Sequence, residues 1–368
     1  MPKRHRSEQS DDDGGDRGSR RPCPRCPRQR RLCVVLDDWS KGYSIYKLDV
    51  DGFDDDDDYF DQRAERLPDP PLFRLEIPDG DPHVAIFAAA GSGIFAVHYR
   101  GDDKGAPVLV YDAATGALAV GPATPVELRN RPELVPAGGG RVYALDRGAG
   151  RNHLKVLAWH GGRGWAWDTL PDAPFDAGTA TACHAAHPDG RTVFFSAHGA
   201  GTFSFDAGTG AWAWHGEWML PFNGQAHYDA EVDAWVGLCR GAASPGRVCS
   251  CEVVAPPAAA HNDEEGGTAE RPPPAWKLAE EKIAVARGDS TEAELAHMGR
   301  GAFCLVECRS LRGAPEPEDE LDEPCLLYAT MFRLRYDKDG ALRATVRRAR
   351  CYQVAKKSNT FSWRAFGI

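Results

Sequence analysis

The chain has 368 residues, with 54 acidic against 44 basic side chains and a formal net charge of -10. Its 42% hydrophobic and 10% aromatic content suffices to bury a core and excludes disorder throughout, while no apolar run approaches the ~20 residues of a membrane-spanning helix. The 39 Gly and 27 Pro favour turns and short strands over long helices.

Residues 1–30 come first: a polar, Arg-rich stretch with nothing to pack, predicted to be a disordered basic tail ahead of one folded body over 31–368. Lys3-Arg4-His5-Arg6 and Arg28-Gln29-Arg30-Arg31 match the pattern of an import signal or a weak nucleic-acid patch, although a solvated tail is the plainer reading of such short clusters. Beyond residue 33 the balance is 34 basic against 49 acidic. Such a body lacks the basic face that phosphate neutralisation needs, so nucleic acid is not the expected partner. The tail has no apolar stretch of a secretory signal, which predicts a cytoplasmic or nuclear protein without a membrane partner. Eleven cysteines, an odd number, then read as reduced thiols and not as a disulfide framework.

Further along, residues 32–36, 43–48 and 72–77 supply three short strands. The five consecutive aspartates at 54–58 repel one another too strongly for regular structure and predict a loop. They also lack the alternating ligands and turn glycine of a calcium loop. Residues 256–274 and 313–323, rich in Pro and acids, read as two more loops.

An internal repeat organises the rest. Tyr111-Asp112-Ala113-Ala114-Thr115-Gly116-Ala117-Leu118 returns as Phe205-Asp206-Ala207-Gly208-Thr209-Gly210-Ala211-Trp212, with a looser echo at Tyr336-Asp337-Lys338-Asp339-Gly340-Ala341-Leu342. In each, an apolar strand ends at an Asp able to cap the turn, and a Gly supplies positive φ before the next strand. A second recurrent hairpin starts its apolar strand at 94, 142, 193, 235 and 303. Periods in the forties to fifties built of short strands are the signature of propeller blades. Five full blades follow, at about 84–122, 134–172, 182–221, 225–284 and 294–353. The three early strands are one short of a blade, and residues 361–366 are one strand without a blade. Joining them predicts an all-β, six-bladed propeller closed by its C-terminal strand, which leaves no unpaired inner edge. Trp165, Trp167, Trp212, Trp214 and Trp218 fall in outer strands, where packing between blades is expected.

The stretch from Val34-Val35-Leu36-Asp37-Asp38-Trp39 to Tyr43-Ser44-Ile45-Tyr46-Lys47-Leu48, the segment Trp212-Ala213-Trp214-His215-Gly216-Glu217-Trp218, the run Asp233-Ala234-Trp235-Val236-Gly237-Leu238 and the pair Met298-Gly299 before Phe303-Cys304-Leu305-Val306-Glu307 resemble a plant family expanded in grasses, the domain of unknown function 1668 family. The likeness covers roughly residues 32–368. It implies a plant source and a kelch-like propeller body, and it brings no established catalytic residues. Many plant kelch proteins place an F-box ahead of the propeller; the first 31 residues are too short and too polar for one, so a ubiquitin-ligase adaptor role is not supported.

Little in the sequence carries chemistry. Cys23, Cys26 and Cys33 resemble half a zinc site without a fourth ligand, so no metal or other cofactor is expected. Nucleophile-elbow, phosphate-loop and dinucleotide patterns are missing, as is the aspartate-box repeat of sialidase propellers. Counting back from the second strand of three blades, His187 and His297 are equivalent and His227 lies two residues further back, which would bring three imidazoles near one mouth of the channel. The offset of about two strand residues, roughly 6.5 Å, argues against one shared ion. The expected function is therefore a non-enzymatic scaffold whose partners are other proteins. The alternative is a propeller enzyme of metal-dependent hydrolase type using the axial channel. Converging carboxylates and imidazoles at the axis would favour the second reading.

Overall fold

Most strands near the chain's apolar maxima are buried on both faces, and period-two alternation explains how. In β1 (Arg31–Trp39) Leu32, Val34 and Leu36 enter one hydrophobic cluster while Cys33 and Val35 enter another. Such a strand lies in a sheet with neighbours on both sides. The computed structural model describes residues 31–39, 41–50, 64–76, 85–99, 105–148, 150–241, 246–256, 270–284, 292–310, 324–355 and 361–368. The basic tail, the aspartate run and the loop at 313–323 lie outside these residues, as does 257–269 of the third loop.

The described residues are almost entirely β, with three short 3-10 turns. After β1 come β2 (Gly42–Asp49), the two-residue β3 (Glu65–Arg66) and β4 (Phe73–Glu76). The second unit comprises β5 (Ala85–Ala90), β6 (Gly93–His98), β7 (Pro107–Asp112) and β8 (Leu118–Ala123), and the third β9 (Glu133–Ala137), β10 (Arg141–Arg147), β11 (Asn152–Trp159) and β12 (Trp165–Thr169). The fourth follows with β13 (Thr181–Ala186), β14 (Thr192–Ala197), β15 (Gly201–Asp206) and β16 (Ala211–Gly216), the fifth with β17 (Gly224–Asp229), β18 (Ala234–Leu238), β19 (Val248–Cys251) and β20 (Trp276–Leu278). The sixth holds the longest strands, β21 (Glu292–Gly299), β22 (Ala302–Ser310), β23 (Pro324–Tyr336) and β24 (Leu342–Ala355), and the chain ends in β25 (Trp363–Gly367).

Within each unit the strands pair antiparallel in order of sequence. The exception is the first unit, where β25 pairs with β1 from Leu32↔Gly367 to Leu36↔Trp363 and gives the order β25-β1-β2-β4. Two pairings lie outside the repeat and outside the sequence-based expectation. The first strands of the fourth and fifth units, β13 and β17, pair in parallel, with His184 opposite Gln225, and β3 pairs in parallel with β24 at Tyr352 and Gln353. Both occur between strand edges that the fold brings side by side, which hydrophobic alternation within one strand does not encode.

The repeated hairpins owe their turns to the same cap. Asp112 Oδ1 accepts from the Ala114 and Thr115 amides at 2.8 and 3.1 Å, Asp206 Oδ1 from Gly208 at 2.7 Å, and Asp337 Oδ1 from Asp339 and Ala341 at 3.0 and 2.8 Å. Gly116, Gly210 and Gly340 follow with φ of +74°, +68° and +76°, the left-handed region that a side chain disfavours.

Six hydrophobic clusters fill the spaces between units. The first and second units share Val35, Tyr43 and Phe87; the second and third share Phe95, Val97 and Leu157; the third and fourth share Tyr143, Leu154 and Phe205. Phe194, Phe222 and Trp235 lie between the fourth and fifth, Val236, Phe303 and Leu305 between the fifth and sixth, and Leu32, Cys304 and Leu327 between the sixth and first. Trp165 and Trp167 pack at the second boundary, Trp212 and Trp214 at the third, and Trp218 at the fourth. No helix among the described residues is long and apolar enough to cross a membrane.

Candidate functional site

The first strands of the units, β5, β9, β13, β17, β21 and β25, run from five to eight residues, and four of their boundaries carry polar links. Glu133 on β9 reaches β13 of the next unit, where its Oε1 accepts from His184 Nδ1 at 2.5 Å and its Oε2 accepts from the Thr181 hydroxyl. Burial alone would raise the Glu133 carboxyl, but the facing His184 imidazole and these hydrogen bonds outweigh it and hold the group below the usual carboxylate range. The parallel pairing of β13 and β17 forms the next link.

On β17, His227 Nε2 donates to the Leu295 carbonyl of β21 at 2.8 Å, which assigns the proton to that nitrogen because a carbonyl only accepts. Burial pushes its imidazole down to about 3, with neighbouring His297 adding to the effect, so His227 is neutral at pH 7. Two residues on, the buried Asp229 accepts from His297 Nε2 and the Gly301 amide, both at 2.8 Å, and from the Glu231 and Val232 amides at 2.9 and 3.1 Å. Although burial opposes ionisation, these donors hold its carboxyl at about 2.

The last polar link joins β21 to the terminal strand. Glu294 accepts from the Ala365 amide at 2.7 Å and pairs with Arg364 Nη1 at 2.8 Å. Burial pushes the Glu294 carboxyl up, and Arg364 offsets this only in part. Backbones meet closely here as well: a Cβ on Gly367 would lie 2.0 Å from the His297 carbonyl oxygen, so only glycine fits.

The three histidines singled out in the sequence separate. His227 and His297 stack, with ring centroids 6.0 Å apart. His187 instead lies just past β13, accepts from the Asp189 amide at 3.2 Å and sits beside Phe194 and Trp235. The expected equivalence of His187 with His297 fails because His297 stands opposite Phe303 inside a strand, whereas the His187 amide bonds Thr192 at a strand end. Among the described residues no group of three or more His, Cys, Asp or Glu side chains could hold a metal ion. Cys33 is buried between the first and second units, and burial raises its thiol to about 11; Cys23 and Cys26 lie outside the described residues.

Glu133, Thr181, His184, Glu294 and Arg364 were not singled out in the sequence. The signal was there in the spacing. Thr181 and His184 follow Glu133 by 48 and 51 residues, and His297 follows Asp229 by 68, the intervals that separate the repeated apolar strands.

A repeat of four-stranded β units with polar residues knitting their first strands defines the class of molecule. Residues 29–352 match the family described as a protein of unknown function (DUF1668), and the chain belongs to that family. No curated protein matches it. Among solved structures it is similar to a fungal alcohol oxidase of the AA5 family in complex with copper, at 14% identity and a TM-score of 0.38, over 72% of this chain and 53% of that one. It therefore spans about half the length of that oxidase. It is also similar to Hsv2 of Kluyveromyces lactis, at 10% identity and a TM-score of 0.39 over 86% and 94% of the two chains. A third similarity is to the WD40 domain of SCAP from fission yeast, at 9% identity and 0.33 over 75% and 65%. Superpositions this loose carry no argument about activity.

Proposed function

We propose that the chain forms a closed, six-bladed, kelch-like propeller, of plant origin and acting in the cytoplasm or nucleus, whose function is to hold other proteins and not to catalyse a reaction. Closure is supported by the cluster shared between the sixth and first units and by the pairing of β25 with β1. The observation that carries the scaffold reading is that polar side chains near the first strands are engaged with one another across unit boundaries, as in Glu133 with His184, Asp229 with His297 and Glu294 with Arg364. Groups committed to such bonds rigidify a frame. Apolar side chains are meanwhile displayed on the outermost strand β8, where Leu118 and Val120 are 47% and 70% exposed, and at the end of the third strand β11, where Trp159 is 60% exposed, which suits contact with another protein.

The test is affinity capture with the full-length chain from plant tissue, followed by chemical cross-linking of the captured complex. Cross-links from one stoichiometric partner to the units' outer faces support the scaffold. Absence of any saturable partner across tissues sinks it.

A specific observation favours an enzyme as second reading. His184 is 6% exposed, its Nδ1 is held by Glu133, and its Nε2 is buried without a partner. A carboxylate orienting an imidazole with a free second nitrogen is the arrangement of a general base. Turnover of simple esters or lactones that His184→Gln abolishes, with folding intact, would select this reading over the first.

A further inference from the structure

Of the free cysteines among the described residues, all but Cys239 are buried. Cys183, Cys249 and Cys251 belong to the cluster between the fourth and fifth units, and Cys239 packs against it. Cys239 lies one residue past β18, and its amide donates to the Arg247 carbonyl at 2.7 Å. The ladder places Gly237 opposite Cys249, so period two puts Cys239 and Cys249 on the same sheet face as diagonal neighbours. Gly237 contributes no side chain to part them; the Cys239 thiol points to the Arg240 carbonyl at 3.8 Å and the Cys249 thiol to the Pro221 carbonyl at 3.7 Å.

We propose that Cys239 and Cys249 are a peroxide-oxidised thiol pair, in which half-exposed Cys239 is the site of attack and buried Cys249 resolves it to a disulfide. The two thiols are unequal. Burial and the neighbouring sulfurs push the Cys249 thiol strongly up, whereas Cys239 reaches solvent. In the first step the Cys239 thiolate attacks one oxygen of hydrogen peroxide, the O–O bond breaks, and the departing hydroxide takes up a proton to become water, leaving a sulfenic acid. In the second, the Cys249 sulfur gives up its proton and attacks the Cys239 sulfur, and the S–O bond breaks to release a second water. Two thiols and one peroxide thus become one disulfide and two waters. Bridging needs the two Cβ atoms at about 3.8 Å, closer than a diagonal pair normally stands. The strand end can supply that shift, because beyond β18 Cys239 is tied on its other side by a single bridge to Phe222. The proposal is independent of whether the chain is a scaffold or an enzyme.

The experiment uses the full-length chain with Cys23→Ser and Cys26→Ser, so that the tail thiols cannot contribute. The protein is treated with hydrogen peroxide near equimolar ratio, capped with N-ethylmaleimide, digested with trypsin without reduction and read by mass spectrometry. Cleavage at Arg240 and Arg247 separates the two cysteines, so their disulfide appears as a linked peptide pair lighter by two hydrogens, which dithiothreitol abolishes. We expect that pair in the parent and in Cys251→Ser, and its loss in Cys239→Ser. In Cys249→Ser, where no resolving thiol remains, dimedone should label Cys239. Linkage of Cys239 to Cys183 or Cys251, or oxidation that leaves both Cys239 and Cys249 capped by maleimide, overturns the proposal. Equal melting temperatures of the reduced variants show that a lost link is not a lost fold.

Discussion

The arc from β9 to β25 and the short stretch at β5 do the same job by opposite means. From β9 onward, successive first strands are bridged by Glu133 with His184, by paired β13 and β17, by Asp229 with His297, and by Glu294 with Arg364. At β5 the sequence is Ala85-Ile86-Phe87-Ala88-Ala89-Ala90, and the neighbours are met mainly through apolar side chains, with Phe87 packed on Tyr43 and one hydrogen bond from the Tyr43 hydroxyl to the Ala85 carbonyl at 3.4 Å. Alanines tolerate modest changes in strand position because dispersion is non-directional. A buried carboxylate does not, since a misplaced partner leaves a charge without compensation. The polar arc therefore fixes the relative height of units, while the alanine strand is held mainly by packing.

The largest effect tests where that arc ends. Deleting residues 358–368 removes β25 together with the partners of Glu294 and the pairing along β1, exposing the edge of β1. The truncated chain should aggregate or lose its cooperative melting transition, and a soluble product with an unchanged transition would show that β25 does not close the first unit.

Next in size are breaks inside the polar arc. His184→Ala leaves Glu133, whose side chain is 19% exposed, with its Thr181 bond but without the imidazole, and should cost about 3–5 kcal/mol in urea unfolding, as for other broken buried pairs. At β5, Ala88→Leu should cost about 1–3 kcal/mol by overpacking the boundary with the third unit. Equal costs at the two places would erase the contrast.

Acid sharpens the comparison further. His227 is held neutral, its folded value depressed to about 3 from an ordinary 6.5. Between those values the unfolded chain binds a proton that the folded chain refuses. The stabilisation is full above pH 6.5 and is lost as pH falls toward 3, by up to about 1.4 kcal/mol per pH unit. Asp229, depressed to about 2 from 3.8, adds a loss of the same sign below pH 4. Melting temperature should accordingly fall from pH 7 to pH 4, and His227→Phe should flatten that slope. An unchanged slope in the variant would place the titration elsewhere.

The smallest effect concerns the hairpins common to both regions. Asp112→Ala removes the cap on the Ala114 and Thr115 amides at an exposed turn and should cost about 1 kcal/mol or less, readable as a small shift of the urea midpoint.

Particular residues show how much was legible beforehand. Asp112, Asp206 and Asp337 announced their turns because an Asx cap acts within three or four residues, and the paired apolar strands at 94, 142, 193, 235 and 303 emerged as the second strands of successive units. His187 and His297 were matched by counting and proved to occupy different positions, because a single residue of register at the strand end changes what a side chain meets. Glu133 and His184 escaped notice since neither residue is unusual in its own strand.

The sequence by itself determined the all-β class, the hairpins, the spacing of the units and the need for a late strand to complete the first. These follow from alternation and turn chemistry, which operate over a few residues. The tertiary structure alone decided which polar groups meet. Those partners lie 48 to 71 residues apart, and their contact depends on the stagger between neighbouring units, a quantity set by the packing of whole sheets. That stagger lets His227 bond a β21 carbonyl and leaves the second nitrogen of His184 without a partner.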